Sequence, residues 1–299
     1  MNVALVKLAP VLLLAPALFA QRGGGPGGIQ GNPDAAIERY RKQLESDPDS
    51  VQANLGMGTA LDLQGKGADA RKYIQKAIDT ASDAGGKARA ERLMAMSYAF
   101  DGDCKNTARY EQMVFEYYVA QKDYYQQGEM ADEAARVCID AGDLETAEKY
   151  YRIGYAAGIK QPDMPPGRKE LWDFRLEHAL ARLAVRRGNK AEARKHVEAA
   201  KAALDAMAKA DAGLANQQRG FLPYLTGYVA YYEGDYQTAL ADFQKAPADP
   251  FILAMIGMTY EKLGDRDKAM EAYRRAAQSG AHNPPAAFGR PFARKKLGE

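Results

Sequence analysis

The sequence is poor in the residues that build most catalytic and metal sites. Its 299 residues include two cysteines, three histidines and one tryptophan. The histidines, His178, His196 and His282, are too far apart in the sequence to act as paired ligands one turn apart on a helix. The motifs of metalloproteases, phosphate-binding loops and serine hydrolases are missing as well. We therefore expect no enzymatic activity, no metal and no cofactor.

An excess of charge of either sign is also lacking. The chain has 41 lysines and arginines against 39 aspartates and glutamates, for a formal net charge of +2. Proteins that bind nucleic acid usually carry a strongly basic surface, so this balance predicts no nucleic-acid partner. The apolar share of 46% is ordinary for a folded protein and too high for general disorder.

Long apolar runs are absent after residue 20. Before it, Lys7 precedes the apolar run Leu8–Ala20, which Pro10 and Pro16 interrupt. This pattern predicts a signal peptide over residues 1–20, cleaved after Ala20. A retained membrane anchor is the alternative, although the run is short for a span. Residues 21–33 are glycine-rich and predict a flexible linker. The mature chain is expected to be soluble and periplasmic or secreted.

In place of catalytic motifs, the sequence has internal repeats. Six segments combine a helix rich in small residues, a glycine turn and a second helix that begins near an alanine. The turn glycines are Gly65, Gly102, Gly142, Gly188, Gly234 and Gly264. The positions after the turns are Ala70, Thr107, Ala147, Ala193, Ala239 and Ala269, and Ala36 matches them near the start. Their spacing widens in the middle, which predicts longer helices or extra turns around residues 120–220.

The clearest repeat carries a recognisable motif. Its residues Gly257, Tyr260, Gly264-Asp265, Ala269, Tyr273 and Ala276 resemble the tetratricopeptide repeat, and Ala36–Pro48 resembles that repeat's second half. The resemblance implies an all-α fold, an α-solenoid (right-handed superhelix) of about six helix hairpins plus capping helices. The array would cover residues 34–280, followed by a C-terminal cap at 281–299. The basic rim of this cap, Arg290, Arg294, Lys295 and Lys296, is expected either in solvent or on an anionic surface.

The repeats also predict how the helices pack. Small residues at the alanine positions let two helices approach to about 8–10 Å. Residues four positions later lie on the same face and should fill the seam between the helices. They are Tyr40, Ile74, Tyr151, Val197, Phe243 and Tyr273. Acidic residues flank three of the turns and are expected to serve turn and helix-cap roles. They are Asp101, Asp103, Asp140, Asp143, Glu233 and Asp235.

A partner-binding groove is predicted from the resemblance, which places the first helix of each repeat on the concave face. Arginine and tyrosine are common anchors of interfaces, and the candidate residues are Arg175, His178, Arg182, Arg186, Tyr224, Tyr228, Tyr231 and Tyr232. The expected partner is a protein or an extended peptide that is acidic or ends in a carboxylate. In the alternative, the tyrosines pack into the seam and the arginines are solvated.

The resulting functional hypothesis is an exported, non-catalytic scaffold, with envelope assembly as one setting. A glycan-binding envelope protein and an accessory lobe of an enzyme complex are the alternatives. Cys104 and Cys138 form either a disulfide, which export would permit, or two buried thiols. Repeat alignment offsets them by about 9 Å along the helix axis, which is longer than the Cα separation of about 7 Å that a disulfide allows.

Overall fold

The computed structural model describes residues 28–29 and 32–299. The predicted signal peptide and most of the predicted linker lie outside these residues. The described part contains fifteen α-helices and no strand. They are α1 Pro33–Ser46, α2 Val51–Leu63, α3 Gly67–Thr80, α4 Ala84–Phe100, α5 Cys104–Ala120, α6 Tyr124–Ala141, α7 Leu144–Gly158, α8 Arg168–Arg186, α9 Lys190–Ala210, α10 Ala212–Gln218, α11 Phe221–Glu233, α12 Tyr236–Phe243, α13 Pro250–Leu263, α14 Arg266–Ala277 and α15 Pro284–Leu297.

Six helix hairpins form the array, and a predicted glycine turn connects the two helices of each hairpin. The hairpins are α2–α3, α4–α5, α6–α7, α8–α9, α11–α12 and α13–α14. Each turn glycine has a positive φ, a conformation that glycine adopts at the least cost. In five turns, the next Asp or Asn accepts a hydrogen bond from the second helix's N-terminus, as Asp143 does from the Thr146 amide. The chain is therefore an all-α helical repeat solenoid.

The predicted seam between the helices is confirmed. All seven small residues at the repeat positions, from Ala36 to Ala269, are buried. Of the residues four positions later, five are buried and Tyr40 is half-buried. Gly257 shows how close the helices come, because a Cβ atom there would lie 2.4 Å from the Tyr273 ring. Small residues on one helix thus make room for a large side chain on the other.

Trp172, the only tryptophan, is held by two glycines. A Cβ atom on Gly128 or on Gly158 would lie 2.2 or 2.1 Å from the indole, which is 1% exposed. These glycines belong to α6 and α7, and Trp172 belongs to α8. The indole therefore joins the third hairpin to the fourth.

The middle of the array is irregular, as the spacing predicts. Helices α8 and α9 have 19 and 21 residues, whereas α2 and α3 have 13 and 14. The seven-residue α10 is inserted between the fourth and fifth hairpins. These extra turns account for the wider steps between repeat positions in this part of the chain.

The C-terminal helix returns to the beginning of the array. Helix α15 packs on α13 and α14 and also on α4 and α6. His282, just before α15, contacts Asp62 at the end of α2, and the guanidinium of Arg290 donates to the carbonyl of Leu63 at 2.9 Å. The last segment thus connects the final repeat to the first three repeats and closes the array.

This closure corrects the expectation for the basic rim. Arg290 is partly buried and donates to the backbone carbonyls of Leu63 and Ser279, and Arg294 also donates to Leu63. Lys296 pairs with Glu261 at 2.8 Å, and Lys295 is exposed. The two arginines therefore satisfy carbonyl groups at helix ends, which neither sequence interpretation anticipated.

The predicted linker is fixed at one described point. The amide of Ile29 donates to the carbonyl of Gly280 at 2.9 Å, and its side chain belongs to a hydrophobic cluster that includes Ala286 and Ala287. Ile29 is 7% exposed, so this part of residues 21–33 belongs to the fold. Among the described helices, none combines the length and the apolar character needed to cross a bilayer.

Cys104 and Cys138 form a disulfide with a Cα separation of 4.7 Å. The offset of about 9 Å expected from the repeat alignment is wrong. Cys104 begins α5, and Cys138 lies in the last turn of α6. The two helices are adjacent and joined by a short turn, so the end of α6 returns to the start of α5.

Candidate ligand site in the inner cavity

A cavity of about 320 Å³ lies on the inner side of the array. Its charged lining comes from the first helices of successive hairpins and from the residue before α13. These side chains are Arg92 from α4, Glu129, Asp132, Glu133 and Arg136 from α6, Arg175 and Arg182 from α8, and Asp249. Aromatic side chains from α7, α8 and α11 complete the wall. Asn283, Pro284 and Pro285 contribute from residues 282–297, the closing segment that returns to the beginning of the array.

Two of the four arginines are paired with carboxylates. Arg92 donates to Glu133 through two nitrogens, with Nε and Oε2 3.0 Å apart. Arg175 pairs with Glu129, and its Nη1 lies 3.9 Å from Asp132. These arginines therefore have fixed anionic partners across α4, α6 and α8.

Arg182 is buried, and its partners are uncharged. Its guanidinium donates to the hydroxyls of Tyr224 at 3.1 Å and Tyr151 at 2.8 Å. Its Nε lies 3.4 Å from the carbonyl oxygen of His178. Burial raises the pKa of Tyr151 to about 12, so the hydroxyl stays protonated. The charge of Arg182 is therefore solvated by dipoles and not neutralised by a contacting anion.

Arg136 has fewer partners still. Its Nε and Nη2 are buried and have no hydrogen-bond partner among the residues that the structure describes. Its guanidinium carbon lies 5.4 Å from the ring centre of Phe251 and 5.9 Å from that of Tyr224. Among the described residues, neither Arg136 nor Arg182 makes an ion pair within 4.0 Å. Burial lowers the pKa of Arg136, but the nearby Tyr224, Asp249 and Asp140 raise it more, so the guanidinium stays charged through groups that lie beyond ion-pair distance.

The remaining carboxylates compensate these arginines only in part. Burial raises the pKa of Asp132 to about 7 and that of Asp140 to about 6, so near neutral pH Asp132 is partly protonated and Asp140 is mostly ionised. Burial also raises the pKa of Asp249, whose carboxylate accepts from the Ile252 amide at the start of α13. The pKa of His178 is lowered well below its usual value, because the ring is buried and lies near Arg182 and Arg136. His178 is therefore neutral.

The structure brings together half of the predicted groove. Arg175, His178, Arg182 and Tyr224 line the cavity. Arg186 lies farther along α8 and donates to the hydroxyl of Tyr228 at 3.2 Å. Tyr224, Tyr228 and Tyr231 are buried among the helices, whereas Tyr232 is 36% exposed. The tyrosines thus largely pack in the seam, while Arg175 and Arg182 are held inside the protein and are not solvated.

Sequence reasoning missed the contribution of α6. Asp132, Arg136 and Asp140 recur every four residues and so share one helix face, a signal that the search for basic and aromatic residues passed over. The turn role expected for Asp140 is wrong, because its carboxylate is buried near Arg136 and its Oδ2 has no hydrogen-bond partner. Asp103, Asp143 and Asp235 do cap helices. Asp101 and Glu233 instead pair with Arg71 and Arg194.

Comparisons with known proteins agree with the hairpin pattern. Family models described as "Tetratricopeptide repeat" match residues 30–85 and 252–279. A solved Rap protein complexed with Competence and Sporulation Factor has a TM-score of 0.51 and 14% identity, over 89% of this chain and 71% of that chain. A tetratricopeptide repeat protein from Parabacteroides merdae has a TM-score of 0.48 and 13% identity, over 87% and 92%. No curated protein matches the sequence.

Proposed function

Because the chain is a tetratricopeptide repeat protein, we propose that it is a non-catalytic scaffold that binds another protein on its inner side. The observation that carries this proposal is the pair of inner arginines, Arg136 and Arg182, which face a cavity and make no ion pair within 4.0 Å among the described residues. An acidic side chain or a chain end of the partner would supply a counter-charge in direct contact. Guanidinium and carboxylate groups match in geometry, and such bonds are among the stronger ones in proteins.

The position of the cavity supports a shared recognition surface. First helices of the second to fifth hairpins contribute to it, together with Asp249 and the closing segment. A group bound there would contact several repeats at once. Recognition would then depend on the assembled array and not on one hairpin.

Capture of partners tests this proposal. The mature chain and its Arg136→Gln variant would be immobilised and exposed to an extract of the source cell's envelope. We expect defined proteins to be retained by the unaltered chain and lost from the variant. Arg152→Gln is the matched control, because Arg152 is exposed and pairs with Glu148 on its own helix. Equal capture by a folded Arg136→Gln chain would reject the inner surface as the binding site.

We further propose that the protein is exported to the periplasm or outside the cell, where envelope assembly is one setting for a scaffold. The apolar run of residues 8–20 supports this, as does the disulfide, because disulfides persist mainly in oxidising compartments. Cell fractionation and N-terminal sequencing test it together. A mature chain that begins at Gln21 in the exported fraction is expected, and an uncleaved cytosolic chain would contradict it.

A further inference from the structure

The closing segment limits what the inner cavity can hold. Asn283, Pro284 and Pro285 line the cavity from one side, and α15 packs against α4 and α6 beside it. A volume of about 320 Å³ lies at the lower end of the range of about 300–1,000 Å³ for small-molecule sites. The size and the lining therefore fit a compact group.

Four arginines and four carboxylates line the cavity, and burial raises the pKa of two of these carboxylates, Asp132 and Asp249, which shifts the balance towards positive charge. Glu133 and Glu129 are already paired with Arg92 and Arg175. Within the described part of the chain, two buried guanidinium nitrogens of Arg136 have no hydrogen-bond partner. Arg182 adds a second positive charge whose contacts are neutral oxygens. A carboxylate would give the Arg136 nitrogens an acceptor and would lie in the field of Arg182. Both effects strengthen when the bound molecule displaces water from around the guanidinium groups.

The cavity also has apolar walls. Phe174, Phe221 and Tyr224 face it together with Pro284 and Pro285. Flat aromatic walls favour a ring or a branched aliphatic group, which gains free energy when it leaves water. A bound molecule would thus need one charged end and one apolar end.

We propose that the inner cavity is a binding site for a compact organic acid, with its carboxylate at Arg136 and Arg182 and its apolar body against Phe174, Phe221 and Pro284. The inference rests on the proposed function in one respect, since it uses the same inner cavity. The same chemistry has two sources, a free small acid and the terminal carboxylate of a chain whose last residue is apolar.

Calorimetric titration of the mature, disulfide-bonded protein tests the site. The probes are 3-phenylpropionate, its neutral amide, and the tripeptide Gly-Gly-Phe with a free or an amidated C-terminus. We expect the free acid to bind one to one and its amide at least about tenfold more weakly, because the amide lacks the charge. Preference for 3-phenylpropionate over the tripeptide would assign a free acid as the source, and the reverse order would assign a chain end.

Variants locate the binding. Arg136→Gln should weaken the binding of the carboxylate probes by at least about tenfold. Arg136→Lys should weaken it by less, because lysine keeps the charge and loses only the planar fork. Arg152→Gln should bind like the unaltered chain. Circular dichroism and the melting midpoint establish whether each variant is folded. If Arg136→Gln does not fold, Arg136→Lys serves as the test.

Three outcomes overturn the inference. They are no saturable binding of any carboxylate probe, equal binding of acid and amide, and unchanged affinity in the folded Arg136 variants. Capture of a protein partner that persists when no carboxylate probe binds would remove this inference and leave the scaffold proposal standing.

Discussion

The imidazole Nε2 of His282 and the carboxylate Oδ2 of Asp62 lie 2.9 Å apart, although 220 residues separate them in the sequence. Both side chains are at most 1% exposed. The other oxygen of Asp62 accepts from the hydroxyl of Ser97 at 2.7 Å, and the His282 ring stacks on Phe100. This contact joins the C-terminal segment to the first and second hairpins.

Replacing Asp62 should therefore destabilise the protein. In Asp62→Ala, His282 and Ser97 stay buried and lose their acceptor, which costs about 1–3 kcal/mol. Urea unfolding followed by circular dichroism measures the loss. Asp69→Ala is the control, because Asp69 is exposed and pairs only with Lys72 on its own helix. An equal, small effect of both substitutions would mean that the buried contact contributes little.

Overpacking of the seam gives a second prediction. Ala239 is fully buried between α11 and α12, so Ala239→Leu should cost about 1–3 kcal/mol of folding free energy. Ala241→Leu lies two residues later on an exposed position and should change little. The melting midpoints of the two variants are compared with that of the unaltered chain. An unchanged midpoint for Ala239→Leu would contradict the close approach of these helices.

Gly158 offers a third test, because its Cβ would collide with Trp172. Gly158→Ala should lower stability by about 1–3 kcal/mol, despite the better helix propensity of alanine. It should also change the fluorescence of the single tryptophan. At Gly86 a new Cβ would meet nothing closer than 3.6 Å, so Gly86→Ala is the matched control. Equal stability of the two variants would show that the indole can move aside.

The pH dependence of stability should reflect Glu111. Burial raises the pKa of Glu111 well above its ordinary value of 4.5, and nearby Glu133 adds to the shift. The folded chain therefore holds a proton that the unfolded chain has lost, and this group weakens the fold as pH rises above 4.5.

Glu111→Gln removes the titration and keeps a similar shape. Its stability advantage over the unaltered chain should grow as the pH rises above 4.5, by at most about 1.4 kcal/mol per pH unit. Urea unfolding across this range measures it. Glu116→Gln, at an exposed position of the same helix, should show no such trend. A constant difference at all pH values would contradict a protonated Glu111.

Reduction of the Cys104–Cys138 disulfide gives the fifth prediction. The bond links residues 34 positions apart, so breaking it should cost about 2–4 kcal/mol, mainly through the freedom of the unfolded chain. Melting with and without a reductant measures the loss. Two free thiols on the unfolded, unreduced protein would show that the bond is absent.

The sequence was sufficient to predict the hairpins because their signals are local. A turn glycine, a capping aspartate and an alanine four or five residues later are contained within one repeat, as Gly142, Asp143 and Ala147 show. The buried Glu111 was detectable too, since it stands four residues after Thr107, where the other repeats place an aromatic or aliphatic residue. It was passed over because a lone carboxylate on a helix is usually in solvent.

Local sequence patterns could not predict the closure of the array by α15 or the composition of the cavity. The contacts of His282 with Asp62 and of Arg290 with Leu63 depend on the accumulated rotation of six hairpins, and small differences in each step decide where the ends meet. The disulfide could not be predicted for a similar reason, because the distance between Cys104 and Cys138 depends on where α6 ends. The partners of Arg182 come from α7 and α11, which no spacing within one repeat relates.

Closure by α15 has a mechanical consequence. An open helical array can lengthen or shorten like a spring, because each repeat contacts only its neighbours. Here the last segment contacts the first three repeats, so a change in pitch anywhere must break contacts at the junction. Loss of residues at either end should loosen both ends together, and the array should respond to a bound ligand as one rigid frame.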